Sequence, residues 1–394
     1  MKNKYTVIDL FSGCGGFSQG FLKVGYEIIA ANEIWNPAIE TYRLNHGKDI
    51  MIDGDITSLE IKKKLYNRVK GKKINVIIGG PPCQGYSSAG NRNPDDPRGQ
   101  LYLDFVEIID HLKPDIFIME NVKGLLNMKH INSKLDLNEK NKFKQDCKRL
   151  QRYKDLKRYK AQRELDVQES KEFFDLRDNL KTIKNDINKQ LIPLLNKILT
   201  AFKEINYMVS WKILNSADYG VPQTRERIIF IGTRHDYVNI SFPKEEFVKT
   251  NTNSVNKKLH LWKTASEVLK RYENWPEDSE RNHLFTKHSP NFIKKIKSTQ
   301  IGDTVYKNYN DAWWRLDPEK PARTVKENHG GVFIHYKFDR ACTPRELAAL
   351  QSFDDDFIFK GTKSAILKQI GNAVPPLMAK AIALNIKSTL DKLK

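Results

Sequence analysis

The 394-residue chain has no run of about 18 consecutive apolar residues, so no transmembrane helix is expected. Cysteine is scarce. Cys14, Cys83, Cys147 and Cys342 lie far apart, with no CxxC pair and no zinc-ligand spacing. No disulfide framework and no metal centre is expected, and the setting reads as reducing and cytoplasmic, so each thiol is judged singly. Met1–Tyr5 leads straight into a strand-like run, without a signal peptide. Apolar residues make up 39%, enough for a core but a lean one. Acidic charge is short as well: 48 Asp and Glu stand against 67 Lys and Arg, a net charge of +19. That surplus implies a polyanionic partner, either nucleic acid or an acidic membrane surface. The bland alternative is a compositional bias, since Lys, Asn and Ile are all abundant.

The first part of the chain alternates strand and helix signals. Strands are expected at Thr6–Phe11, Glu27–Glu33, Ile74–Gly80, Asp115–Val122, Tyr207–Leu214 and Arg227–Thr233. Helices are expected around Pro37–Asn45 and Leu101–Leu112, the latter stopped by Pro114. The pattern implies an α/β fold with a doubly wound sheet covered on both faces. Residues 129–190 differ: 18 Lys and Arg, 11 Asp and Glu, and neither Gly nor Pro. Apolar residues recur there at helical spacing from Phe173 to Ile198, which predicts a charged helical insertion leading into a helix near 191–205. Its role reads equally as a solvated arm or as a contact for DNA or a partner. The alternation fades after His235. The expected division is a catalytic domain over 1–234, a small recognition domain over 235–335 and a returning C-terminal segment over 336–394.

Four blocks carry chemistry. Asp9-Leu10-Phe11-Ser12-Gly13-Cys14-Gly15-Gly16 is a Gly-rich turn between strand and helix, where backbone can approach a ligand closely. A dinucleotide fingerprint would need Gly at position 18, which is Ser18. Glu33, at the end of the next strand, suits ribose hydroxyls, and Asp55 suits an adenine amino group. Gly80-Pro81-Pro82-Cys83-Gln84 presents a cysteine on a stiff loop, a poor packing context and a good one for a nucleophile. Glu120-Asn121-Val122 ends an apolar strand, and desolvation there should raise the Glu120 pKa as a general acid requires. Arg225 and Arg227, in Gln223-Thr224-Arg225-Glu226-Arg227, suit phosphate, a base carbonyl or a carboxylate. Taken singly, a tight turn, a packed thiol or a surface charge explains each.

Together these blocks resemble the cytosine-5 DNA methyltransferase family. Pro82-Cys83-Gln84, Glu120-Asn121-Val122 and Gln223–Arg227 match its motifs in order. Arg98-Gly99-Gln100-Leu101, residues 340–357, Gln369–Pro376 and Pro321-Ala322-Arg323-Thr324-Val325 are similar to others. The resemblance implies a Rossmann-like methyltransferase fold with S-adenosylmethionine as cofactor. It implies Phe11, Gly13, Gly15, Gly16, Glu33, Asp55, Ile56, Leu101, Asn372 and Val374 as cofactor contacts. It assigns Cys83, Glu120, Arg225 and Arg227 to catalysis, and Gln84, Ser87, Arg323 and Thr324 to DNA.

The implied reaction is methylation of cytosine carbon 5 in a specific double-stranded DNA sequence, through a Cys83 adduct on a flipped-out base. The implied setting is a monomer in the bacterial cytoplasm, associated with the nucleoid, as the modification enzyme of a restriction–modification system. A cognate restriction endonuclease would be a functional rather than a physical partner, and no membrane is involved. The rival is a tRNA cytosine-5 methyltransferase, which shares these motifs. The roughly 80 residues between Arg234 and Arg315 favour DNA.

Overall fold

The computed structural model describes residues 4–82, 100–132, 134–235, 240–249, 259–306, 313–327 and 333–393. In chain order the elements are β1 (Thr6–Leu10), α1 (Gly16–Leu22), β2 (Glu27–Glu33), α2 (Asn36–His46), β3 (Met51–Asp53), α3 (Leu59–Val69), β4 (Val76–Gly79), α4 (Leu101–Leu112) and β5 (Ile116–Val122). There follow β6 (Lys129–Ile131), α5 (Leu137–Lys160), α6 (Val167–Asp178), α7 (Leu180–Lys189), β7 (Leu191–Pro193), α8 (Leu194–Glu204), β8 (Met208–Asn215) and β9 (Glu226–Thr233). The chain then forms α9 (Ala265–Leu269), α10 (Pro290–Ser298), α11 (Pro344–Leu350), α12 (Lys363–Asn372) and α13 (Pro376–Asp391). The backbone divides into two compact units. Among the described residues, one is built from stretches within 4–82, 100–123 and 202–393, and the other from stretches within 124–201.

The larger unit is built on a seven-stranded sheet in the order β3-β2-β1-β4-β5-β9-β8. The first five strands run parallel, and β9 is antiparallel to both its neighbours. This is the mixed, doubly wound sheet expected. Strands buried on both faces have no polar side to show, which is why β4 reads Val-Ile-Ile-Gly without alternation. On one face α1 and α13 set Phe17, Phe21, Met378 and Ile382 against Val7, Val76, Ile78, Ile116 and Ile229. On the other, the Phe117 ring stacks on Phe202 at 4.1 Å and meets Phe105 edge-on. A further cluster joins Leu269, Tyr272, Leu316, Val325, Leu350, Phe353 and Ile370, so the stretch from Ala265 to Ala373 supplies most of a second core inside the same unit.

The described residues of the smaller unit are mainly helical, as the apolar spacing of this segment predicts. The apolar run from Phe173 to Ile198 is not one helix, however. Asn179 ends α6 and begins α7, and Leu191–Pro193 is extended and pairs antiparallel with Lys129–Ile131. Helical spacing persists across such breaks because Phe173, Leu176, Ile183 and Ile187 all face the Phe143 and Leu156 side of α5. Asp136–Glu139 and Asp166–Glu169 form reciprocal capping boxes that start α5 and α6.

The closeness of α1 to α13 leaves no room at Gly20, where a Cβ would sit 2.4 Å from Ala379 Cβ and 2.6 Å from the Lys380 nitrogen. Gly20→Ala must push α13 away, and a loss of about 1–3 kcal/mol is expected. Urea unfolding of the two proteins measures it; an unchanged midpoint would show that the helix pair yields freely.

Candidate active site

The parallel register aligns three strand ends. Leu10 pairs with Gly79, and Gly79 pairs with Met119. The next residues along each strand are Phe11, Gly80 and Glu120. This row is the switch point of the sheet, where the β1 and β4 connections depart in opposite directions and ligands of open α/β sheets bind.

After β1 the chain turns sharply. Phe11 (φ 54°), Gly13 (φ 55°) and Gly15 (φ 94°) all have left-handed backbone. For Phe11 this is a strained conformation, costing on the order of 1–2 kcal/mol. Gly16 is tight for another reason: a Cβ there would lie 2.4 Å from the Val374 carbonyl oxygen, so the approach to α13 closes directly on the loop. A Cβ at Gly13 would meet nothing within 4 Å, so open space fronts the turn.

Glu33 reaches this loop from β2. Its Oε2 accepts from the Gly13 amide at 2.8 Å, and Oε1 accepts from Ile34 and Trp35 at 2.8 and 2.9 Å. Asp55 is exposed and accepts from the Thr57 amide, and Ile56 beside it is buried. Leu101 is half-buried at the start of α4. Asn372 is exposed and donates to Glu327 at 3.0 Å, while Val374 is buried.

Glu120 sits at the other end of the row. The Gly80 Cα is so close that an added Cβ would lie 3.2 Å from Glu120 Oε2. Arg227 Nε donates to Glu120 Oε1 at 2.9 Å, with both side chains mostly buried. β9 sets this contact: Glu120 lies opposite Ile229, and Arg227 occupies the diagonal position two residues away. Burial pushes the Arg227 pKa down, and the Glu120 carboxylate opposes that. Asn121 donates to the Pro81 carbonyl at 2.9 Å, fastening the Pro-Pro turn to β5. Cys83, Gln84 and Ser87 lie outside the described residues. Of the other thiols, Cys14 and Cys342 are buried, and burial pushes Cys14 up to about 12 and Cys342 well above the ordinary range. Neither suits a nucleophile.

Arg225 and Arg227 take different partners. Arg225 precedes β9, is 2% exposed, and donates to the Val325 carbonyl at 2.9 Å and the Gly371 carbonyl at 2.8 Å. Burial and the nearby Arg227 both work against its charge. Gln223, also fully buried, accepts from the Val325 amide and donates to Gln351, which in turn donates to the Ile370 carbonyl. Residues 223–225 therefore brace 322–325 and 350–371. Thr324 is part of this brace, donating to the Thr224 carbonyl at 2.8 Å, and the Arg323 guanidinium lies 3.3 Å from the Trp314 ring centroid.

One buried group escaped notice in the sequence beyond its place in the loop. Asp9 is 1% exposed and accepts from the Ser18 hydroxyl at 2.6 Å, and the Tyr42 hydroxyl lies 2.7 Å from Ser18. The signal was available: an acid inside the apolar run Thr-Val-Ile-Asp-Leu, with Ser18 in place of a third glycine.

The C-5 cytosine-specific DNA methylase family model matches residues 5–154 and 171–388. The unmatched residues run from the end of α5 into the start of α6. The type II methyltransferase M1.HphI of Haemophilus parahaemolyticus is 32% identical over 393 residues, covering 96% of this chain and 85% of that protein. The type II methyltransferase M.NgoPII of Neisseria gonorrhoeae is 31% identical over 408 residues, covering 99% and 97%. The crystal structure of a prophage-encoded DNA modification methyltransferase from E. coli superposes with a TM-score of 0.65 at 25% identity, over 98% of this chain and 100% of that one.

Burial raises the Asp9 carboxyl to about 7, the Ser18 hydrogen bond opposing it and the Glu33 charge adding to it. The fold thus favours the neutral acid. Its stabilising effect is complete below the ordinary carboxylate range, near 4, and is lost as pH rises toward about 7. The melting temperature of Asp9→Asn should therefore gain on the wild type between about pH 4 and about pH 8. A gap between the two melting curves that does not change with pH would contradict a neutral Asp9.

Proposed function

The chain belongs to the C-5 cytosine-specific DNA methylase family, and on that premise we propose that it methylates cytosine carbon 5 in a specific duplex DNA sequence through a covalent adduct with Cys83. The observation that carries the reading is the row of strand ends, which brings Glu120, held by Arg227, against Gly80 at the root of the Cys83 loop. The two buried thiols, Cys14 and Cys342, suit no such role.

S-adenosylmethionine fits the residues at the β1 end of the row. Open space fronts Gly13, and the Glu33 carboxylate lies at the tip of β2, an acceptor whose chemistry would suit ribose hydroxyls. Phe11, Gly13, Gly15, Gly16, Glu33, Asp55, Ile56, Leu101, Asn372 and Val374 would hold it. When bound, it supplies an electrophilic methyl group.

Carbon 5 of cytosine is a weak nucleophile, and the protein's task is to enrich it. The target base is turned out of the duplex into the site. The Cys83 thiolate forms a bond to C6, and the displaced electron pair moves toward C5 and the N3 side of the ring. Glu120, entering this step protonated, donates its proton to N3, relieving the charge that develops there. Carbon 5 then accepts the methyl group. A base removes the C5 proton, the C6–S bond breaks as the C5–C6 double bond returns, and N3 gives its proton back to Glu120. Arg227 orients the Glu120 carboxyl by its Nε hydrogen bond. Arg225 acts through the backbone it holds. Gln84, Ser87, Arg323 and Thr324 are assigned to the DNA side. The net charge of +19 supplies attraction to phosphates, so binding should weaken steeply with salt. A type II role would pair the enzyme with a cognate endonuclease that cuts the unmodified sequence.

Cys83→Ala should abolish methyl transfer while leaving duplex binding intact. Tritium passed from labelled cofactor to duplex DNA by that variant would overturn the assignment, and parallel incubations with tRNA test the RNA alternative. Glu120→Gln should slow single-turnover transfer by about 100-fold or more, the span usual for loss of a general acid. An unchanged single-turnover rate would remove Glu120 from that role.

A further inference from the structure

The positive charge is unevenly placed, and the helical unit concentrates it. Helix α5 carries ten Lys or Arg and three Asp or Glu, whereas α6 carries two and four. The acids of this unit are largely committed. Glu172 pairs with Arg152, Glu169 with Arg163, Asp186 with Lys142 and Lys189, Asp146 with Arg149, and Asp155 with Arg158. Glu139 closes the N-terminal cap of α5. Lys160 lies over the Phe173 and Phe174 rings.

Left over in α5 are Lys140, Lys144, Lys148, Lys154 and Lys157. Lys140 is half-buried and the other four are exposed, and none has a carboxylate partner among the described residues. Lys140, Lys144 and Lys148 follow one another at i, i+4 and i+8, on one face of the helix. Like charges at that spacing repel and weaken an isolated helix. The repulsion is held in place by the core beneath, where Phe143 and Leu156 pack on Phe173, Leu176, Ile183 and Ile187. The unit thus sets a row of ammonium groups on a helix with a packed apolar core beneath it. From Lys140 to Lys148 the row spans about 12 Å at about 1.5 Å per residue. That length faces roughly three or four phosphates of one strand at about 3.4 Å each.

We propose that the Lys140–Lys144–Lys148 row of α5 binds the phosphate backbone of duplex DNA without reading its sequence. This rests on the reading of the chain as a duplex-DNA methyltransferase. Charge complementarity selects the occupant: a polyanion with regularly spaced single charges matches a row of unpaired lysines, and DNA is the polyanion that the family reading already supplies.

The test uses the full-length enzyme carrying Lys144→Ala and Lys148→Ala together, with Lys63→Ala and Lys72→Ala, two exposed lysines of the sheet unit, as a control of equal charge. Circular dichroism and melting temperature establish that the variants fold as the wild type does. Duplex affinity is then measured by fluorescence anisotropy over a series of KCl concentrations, on a methylated-site duplex and a scrambled one. The α5 variant should bind both duplexes more weakly by the same factor. Its slope of log affinity against log salt should be shallower by roughly 2, about 0.9 for each phosphate that is no longer neutralised. The control should keep the wild-type slope. An unchanged slope in the α5 variant overturns the inference, as does an equal change in the control or a weakening confined to one duplex. A wild-type enzyme that neither binds nor methylates duplex DNA overturns the parent reading instead.

Discussion

The register of β4 between β1 and β5 is the constraint on which the rest of the catalytic unit depends. Side chains of a strand alternate between faces, so a slip of one residue would turn every group over. Here Gly79 stands beside both Leu10 and Met119. Its lack of a side chain is needed, since a Cβ would lie 2.7 Å from the Leu10 carbonyl oxygen and 2.8 Å from the Phe105 ring. Gly232 of β9 makes the matching allowance for the Phe117 ring, with a Cβ only 2.1 Å from it. The large rings of one face thus lock against glycines of neighbouring strands. The strand ends then have one alignment, and Glu120, Gly80 and the loop after β1 fall on one line.

A second layer of control lies outside the sheet. Gln223 and Arg225 are buried polar groups whose partners, the Gln351 side chain apart, are backbone atoms from 325, 350 and 371. Removing such a group leaves carbonyls unpaired in a low-dielectric setting, which costs more than the bond itself contributes. The segments that carry Arg323, Thr324 and Val374 are therefore tied to the start of β9, whose next residues carry Arg227. The bracing polar groups and the Glu120 pair share five residues of chain, so neither can shift alone.

Much of this was legible in the sequence. Strands β1, β2, β4, β5 and β9 showed as apolar runs because strands covered on both faces leave no alternation to confuse, and the observed bounds of β2 and α4 coincide with those expected. The charged insertion showed as helical for the same reason of spacing. Its internal break at Asn179 did not, because α6 and α7 place their apolar residues on one common partner and the period runs on across the junction. Thr343-Pro344-Arg345-Glu346 matched a motif by resemblance alone. Its physical content is a capping box in which Glu346 also takes a bidentate bond from Arg340 and is fully buried. Nor could residue type distinguish Arg225 from Arg227, two positions apart. One braces and the other reaches a carboxylate, because the strand begins between them, and that boundary is fixed by pairing with β8.

The Glu120–Arg227 pair illustrates how such a site is held. Two mostly buried charges lose hydration, and their attraction repays little more than that loss. Stability is thus not what the pair adds. What it adds is direction: the guanidinium fork, anchored on a strand that is paired along both edges, gives the carboxylate one orientation instead of several. In the role proposed for Glu120, a carboxyl that meets a ring nitrogen would benefit more from that fixed direction than from tighter packing, since misplacement costs rate directly. The sheet places β5 and β9, their pairing sets the diagonal contact, and the contact aims the side chain across the row toward the turn that leads to Cys83.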